Sequence, residues 1–355
     1  MVASTCRDGS QVLAAPDLAA LLLACSELRE AMRLAACCRH LERALRPAVL
    51  GLARDRRLLC VLGGVCPPSL ASVEGFREEA RRWEAIPSMP CRRHGHAAVV
   101  LDGLLYVLGG SGGYPPLRDV TRFDPASHAW EDLPAMPIPR IDFAAASCLG
   151  CIYVVGGAGN EKASGHPLPS ATRFIPAADL SNTGTWEMLP AMSKGRAGLA
   201  ATALGGYLHV CGGLGKGGAE LRCGEKYDVA SRVWAELPKM STGRASHAAV
   251  ALAGNMFACG GRTHGRATSL IECLALRARR WETLPPMSIR RCRPSVASLA
   301  GKIYVCGGDD GGTQSLAAAE RYDPKTRTWE LLPSLLVARS RAAAVVVCDV
   351  RPAPA

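Results

Sequence analysis

Lys302-Ile303-Tyr304-Val305-Cys306-Gly307-Gly308 is the stretch that decides how this chain is read. An apolar run rich in β-branched and aromatic residues enters a glycine pair, the pattern of a short buried strand ending in a turn. The same phrase recurs at 58–64, 104–110, 151–157, 207–213 and 255–261. Each copy is followed by a tryptophan and then by a Leu-Pro or Ile-Pro step.

The spacing of these copies is regular. The leading glycines are Gly63, Gly109, Gly156, Gly212, Gly260 and Gly307, at intervals of 46, 47, 56, 48 and 47 residues. The chain has six Trp, and each repeat holds one: Trp83, Trp130, Trp186, Trp234, Trp281 and Trp329. A period of this length means one ring or array of repeats rather than separate cores, although 355 residues would suffice for two or three domains. Within a repeat, a hairpin is expected across Leu149-Gly150. A third strand ends in a turn such as Phe123-Asp124-Pro125 or Tyr322-Asp323-Pro324, and the Trp opens a fourth.

A repeat built this way is a four-stranded antiparallel unit that cannot bury its own faces. It resembles the kelch repeat over residues 58–350. The resemblance implies an all-β, six-bladed kelch β-propeller, with large aromatics between blades. The first repeat starts without an innermost strand, and the last is followed by a spare one. Residues 342–350 are therefore expected to complete blade 1 and close the ring. The third repeat is longer, with extra residues in 158–170 and 175–185, where a rigid scaffold often carries binding loops.

Residues 1–57 read as a short N-terminal α-helical segment. Leu18, Leu21, Leu22 and Cys25 fall on one helical face, and Leu34, Cys37, Cys38, Leu41 and Leu45 on another. Pro16-Asp17, Leu21-Leu22, Leu28, Arg33-Leu34, Cys38-Arg39 and Leu41 resemble a degenerate F-box, although Ala15 stands for the usual Leu and the usual Trp is missing. That resemblance implies a cullin-type ubiquitin ligase adaptor as a partner through 12–46. A helical cap on the propeller is the alternative. The apolar run 18–25 imitates a secretory leader, but Asp8 and Asp17 interrupt the basic-then-apolar order of one.

Sixteen Cys scattered over the whole length, with Cys211, Cys259 and Cys306 each before a glycine pair, read as small buried hydrophobes in a reducing compartment, cytoplasmic or nuclear. The single Cys148-Leu149-Gly150-Cys151 has no second pair with which to bind zinc. No apolar run of 18 residues is present, so no membrane span is expected. Lys plus Arg exceed Asp plus Glu, 42 against 31, which suits an acidic partner. The excess forms no patch interleaved with aromatics, so nucleic acid is not expected.

One further register stands out. Arg93, Arg140, Arg196, Arg244 and Arg291 each lie 16 residues before a glycine pair, and Arg339 takes the matching place before the closing strand. On a propeller these six converge near one mouth of the central channel. Two readings follow: a cationic ring for carboxylate or phosphate, or six guanidinium groups bonded to the carbonyls of their own blades. In the kelch adaptor family, partner peptides dock in this neighbourhood. Residues that vary at the rim, His94, His96, Phe143, His247, Arg290 and Arg293, are the specificity candidates. No nucleophile, base and carboxylate are placed together by spacing, and His94, His96 and His247 lack a further ligand for a metal. The expected function is therefore a monomeric protein-interaction module, without cofactor or metal, that binds a client protein or peptide. It is a ligase substrate adaptor on the F-box reading and a scaffold or cytoskeleton-associated binder on the other.

Overall fold

The computed structural model describes residues 57–113, 115–159, 167–177, 184–312 and 314–348. Blade 1 holds β1 (Arg57–Leu62), β2 (Val73–Arg77) and β3 (Arg82–Ile86). Blade 2 holds β4 (Ala97–Leu101), β5 (Leu104–Leu108), β6 (Val120–Asp124) and β7 (Ala129–Leu133). Blade 3 follows with β8 (Ala144–Cys148), β9 (Cys151–Val155), β10 (Ala171–Ile175) and β11 (Thr185–Leu189). Blade 4 consists of β12 (Ala200–Leu204), β13 (Tyr207–Cys211), β14 (Gly224–Asp228) and β15 (Val233–Leu237). Blade 5 has β16 (Ala248–Leu252), β17 (Asn255–Cys259), a small hairpin of β18 (Arg262–Thr263) and β19 (Arg266–Ala267), then β20 (Ile271–Ala275) and β21 (Arg280–Leu284). Blade 6 has β22 (Ser295–Leu299), β23 (Lys302–Cys306), β24 (Ala319–Asp323) and β25 (Thr328–Leu332). The last strand, β26 (Ala343–Cys348), returns to blade 1 and pairs antiparallel along the whole of β1, from Arg57 opposite Cys348 to Leu62 opposite Ala343. The ring is a six-bladed propeller closed by strands from both ends of the described chain. Residues 1–56, with the F-box-like stretch, and the inserted segments 160–166 and 178–183 of blade 3 lie outside the described residues.

The second strand of each blade is buried on both faces, as in Leu104–Leu108, and so reads as a continuous apolar run. The outermost strand alternates polar residues with one Trp and a terminal Leu, because one of its faces meets solvent. Each of six apolar clusters is shared by two neighbouring blades. Burial at the seams is thus the main force holding the ring together.

Tryptophan supplies a directional bond at the same seams. Trp83, Trp186, Trp234, Trp281 and Trp329 donate Nε1–H to the carbonyls of Pro333, Pro134, Pro190, Pro238 and Pro285 on the preceding blade, at 2.8–2.9 Å. Trp130 of blade 2 makes no such bond. Each Trp with an aromatic directly across the strand pair lies against it at 5.0–5.2 Å, including Phe174 with Trp186 in the lengthened third repeat.

A candidate interaction face at the channel mouth

Between the outermost strand of one blade and the innermost strand of the next runs a four-residue segment that repeats six times, each copy starting with arginine. Every residue of it has one task. The arginine locks the seam. Its backbone carbonyl accepts the N–H of the second glycine of the preceding blade, as in Gly64 to Arg93 (2.9 Å) and Gly157 to Arg196 (2.7 Å). Its Nη1 donates to the carbonyl of the first glycine in its own blade, as in Arg140 to Gly156 (2.7 Å) and Arg291 to Gly307 (2.8 Å). The first glycine has no alternative residue here. At Gly212, φ is +62°, and a Cβ would lie 2.5 Å from the Arg244 carbonyl oxygen and 2.6 Å from the His247 ring.

All six arginines have a relative exposure of 0 %. Four meet a glutamate one residue into the third strand. Arg196 reaches Glu225 at 2.8 Å, Arg291 reaches Glu320 at 2.7 Å, and Arg244 and Arg339 pair closely with Glu272 and Glu74. Burial lowers the Arg140 pKa to about 10. A client cannot touch these guanidinium groups in this arrangement. Of the two readings open in the sequence, the geometry is that of side chains bonded within the ring, and Arg93, Arg140, Arg196, Arg244, Arg291 and Arg339 do not line the mouth.

The residue after each arginine bridges to the residue after a glycine pair, as in His94 with Ser111 and Cys292 with Asp309. The next residue has positive φ in every blade: Gly95, Asp142, Gly198, Ser246, Arg293 and Arg341. These six form a closed hoop around the axis. Asp142 N–H donates to Gly95 O (2.9 Å), Gly198 to Asp142 (2.7 Å), Ser246 to Gly198 (2.6 Å), Arg293 to Ser246 (2.8 Å), Arg341 to Arg293 (3.3 Å) and Gly95 to Arg341 (2.9 Å). Beneath it stand His96, Phe143, Leu199, His247, Pro294 and Ala342, which with the hoop line a central cavity.

The varied rim candidates therefore split. His96, Phe143 and His247 are brought together as buried walls of the cavity. Burial lowers the pKa of both histidines to about 3, so they are neutral near pH 7. His247 Nε2 lies 3.3 Å from Cys211 Sγ. His94 is half-buried, with Nδ1 2.9 Å from Ser69 Oγ. Arg290 is exposed, and Arg293 pairs with Asp309 at 3.0 Å. Asp142 sits 3.7 Å from Arg341 across the hoop. The hoop was missed by sequence reasoning, although its members lie two residues past each registered arginine. Among the described residues no group of three His, Cys, Asp or Glu can hold a metal, and no helix is long and apolar enough to cross a membrane.

The loops around the mouth carry exposed Arg92, Arg118, Lys194, Lys216, Arg222, Lys239, Arg266 and Arg290, against exposed Asp119 and Asp310 among the described residues. Neighbouring loops are tied together there: Glu220 of blade 4 accepts from Arg262 Nε (3.1 Å) and from His264 and Gly265 N–H (2.6 and 3.2 Å) in blade 5. The face is thus a firm, basic annulus.

Comparison with known proteins agrees with the fold. The family profile of the Kelch motif matches residues 92–137, 195–241, 243–288 and 290–336, just over half the chain. These are blades 2, 4, 5 and 6. The unmatched repeats are blade 1, split by ring closure, and blade 3, lengthened by insertion. Kelch-like protein 33 of Homo sapiens is 39% identical over 62 residues, a match that spans 18% of this chain and 12% of that relative.

Proposed function

The chain belongs to the kelch-repeat family, and from that premise we propose that it is an interaction module whose basic loop annulus holds an acidic client protein or peptide. One observation carries the reading: among the described residues, exposed cations outnumber exposed anions on the loops around the mouth, on a face whose backbone is fixed by seam and hoop bonds. Charge complementarity of this kind steers encounter and selects partners. The contacts fall to exposed residues such as Arg92, Lys194 and Arg290, with half-buried His94 at the inner edge. The arginines in the seams set where these loops stand. No catalytic role is assigned to any residue.

In the fuller reading, residues 12–46 bind a cullin-type ligase adaptor and the propeller presents the client to it, in the cytoplasm or nucleus. The F-box-like residues Pro16-Asp17, Arg33-Leu34 and Cys38-Arg39 support it. The test is affinity capture from the protein's own cell with three baits: the full chain, a chain starting at Ala53, and the full chain with Arg92→Glu, Lys194→Glu and Arg290→Glu. The charge-reversed bait should lose at least about tenfold of the captured client while its melting temperature stays within about 1 °C. Undiminished capture by that bait overturns the annulus reading. Recovery of a ligase adaptor by the full chain alone supports the adaptor role, and its absence from both unreversed baits removes it.

A further inference from the structure

The seam locks are not all alike, and the differences occur together. In blades 1, 4, 5 and 6 the buried glutamate does two jobs. One oxygen accepts from arginine Nη2, and the carboxylate also accepts a backbone N–H three residues before that arginine. The donors are Leu336 (2.7 Å), Ser193 (2.8 Å), Ser241 (2.9 Å) and Ser288 (3.0 Å). In blade 1 the next N–H, that of Val337, joins them at 3.0 Å. In blades 2 and 3 the glutamate is replaced by Thr121 and Thr172, and the residue three before the arginine becomes Pro90 and Pro137. The acceptor and the N–H it would accept disappear as a pair, so the carboxylate has been withdrawn in a coordinated way.

Blade 3 compensates from within, because Arg140 Nη2 donates to Ser170 Oγ (2.9 Å), while its Nη1 keeps the bond to the carbonyl before the third strand, Ser170 O (3.1 Å), that the four glutamate-bearing blades also make. Blade 2 does not. Asp119 takes the place of Ser170, and its side chain is exposed. Arg93 keeps one backbone hydrogen bond, Nη1 to Gly109 O at 3.1 Å, and beside that only the Cys91 thiol as a polar side-chain contact. Its Nη2, which is bonded in the other five arginines, has no partner, and Thr121 Oγ1 has none either, as with Thr172 Oγ1 in blade 3. The groups that favour its charge are the Cys91 thiol and, through space, Asp119 and Asp132. Arg93 is nevertheless fully buried. A buried guanidinium without a hydrogen-bonded counter-charge is expensive to maintain.

We propose that blade 2 binds a small monovalent anion, a halide or a short carboxylate, in the place that the glutamate carboxylate fills in the other blades. Arg93 Nη2 and Thr121 Oγ1 donate to it from below. The N–H of Cys91 has the register of the Val337 N–H that meets Glu74, two residues before the arginine, and supplies a third donor from the loop. Pro90 and Cys91 are exposed, so only this one loop separates the site from solvent. The ion would tie the loop between blades 1 and 2 to the ring. That is the same seam at which Trp130 lacks its bond to the preceding blade. The inference stands apart from the client reading and does not depend on it.

The experiment is thermal unfolding of the full chain at constant ionic strength in sodium chloride, sodium bromide or sodium methanesulfonate, the last being a larger and more weakly coordinating anion. Chloride and bromide should raise the melting temperature by about 2 °C or more over methanesulfonate, as expected when an ion binds only the folded state. The double variant Pro90→Ser/Thr121→Glu rebuilds the pattern of the other blades. It should melt at the same temperature in all three salts, at or above the wild-type value in chloride. Equal melting of the wild type in the three salts overturns the proposal, and so does a halide effect that persists undiminished in the variant. Should the variant not fold, crystals grown in bromide decide: an anomalous peak beside Arg93 Nη2 supports the site, and its absence overturns it.

Discussion

At the scale of single residues, the arginine of each seam shows how one side chain is held in two blades at once. Its carbonyl belongs to the contact with the blade before, and its guanidinium to the glycine of its own blade. Arg244→Ala would leave Glu272, 1 % exposed, without its cation. A loss of about 3–5 kcal/mol in unfolding free energy is expected from denaturant titration, the usual cost of breaking one half of a buried pair. The two cavity histidines give a second prediction. Their folded pKa of about 3 lies below the unfolded value of about 6.5, so the unfolded chain binds protons more readily in between. Their contribution is whole above pH 6.5 and declines as pH falls toward 3. Stability at pH 5 should be lower than at pH 7.5 by on the order of 4 kcal/mol from the two together. His247→Asn should roughly halve that slope in a melting series across pH.

Legibility at this scale was partial, for a definable reason. The period places Arg93 and its five counterparts at one register, but a register fixes the position of a Cα and says nothing of where a long side chain turns. Both turning into the mouth and turning into the seam satisfied the sequence. The partner glutamates settle the matter in four blades, and they could have been found: each lies 28 or 29 residues after its arginine, as in Arg196 with Glu225 and Arg244 with Glu272, except in blade 1, where ring closure pairs Arg339 with Glu74.

At the scale of elements, the strand and turn signals translated almost directly. The hairpin over Leu149-Gly150 joins β8 to β9 with Cys148 opposite Cys151, so the isolated Cys-x-x-Cys is two strand ends flanking a turn. The Trp and Leu-Pro steps became bonds between blades, a role that no single repeat displays, since donor and acceptor sit in different copies. Trp83, 6 % exposed, packs on Phe76 and donates to Pro333. Trp83→Ala should cost about 3–5 kcal/mol by chemical denaturation. A near-neutral result would mean that the seam between blades 6 and 1 is held by something else. What the sequence left unread at this level is the hoop. Ser246, Arg293 and Arg341 are residue types that do not advertise a left-handed backbone, and they adopt it where a neighbouring blade supplies the carbonyl.

For the whole molecule, closure depends on β26, which gives blade 1 its innermost strand and covers the edge of β1 along six residue pairs. A chain ending at Ser340 would expose that edge and strip Val345 and Val347 from the cluster shared by blades 1 and 2. The expected result is loss of a single cooperative melting transition, followed by circular dichroism, with proteolysis starting in blade 1. An unchanged cooperative melt would show that five complete blades suffice.

The hoop has a bearing on how such a chain can change over generations. Each of its six members both gives and receives one bond, and the circuit has no free end. A duplicated repeat could not be taken in piecemeal: a seventh member would force all six existing links, now 2.6–3.3 Å long, to re-form at a wider radius together. Loop length carries no such penalty, and blade 3 holds its extra residues while its Asp142 stays in the circuit. The axis in effect keeps a tally of the repeats, leaving sequence drift to work on the loops and against the count.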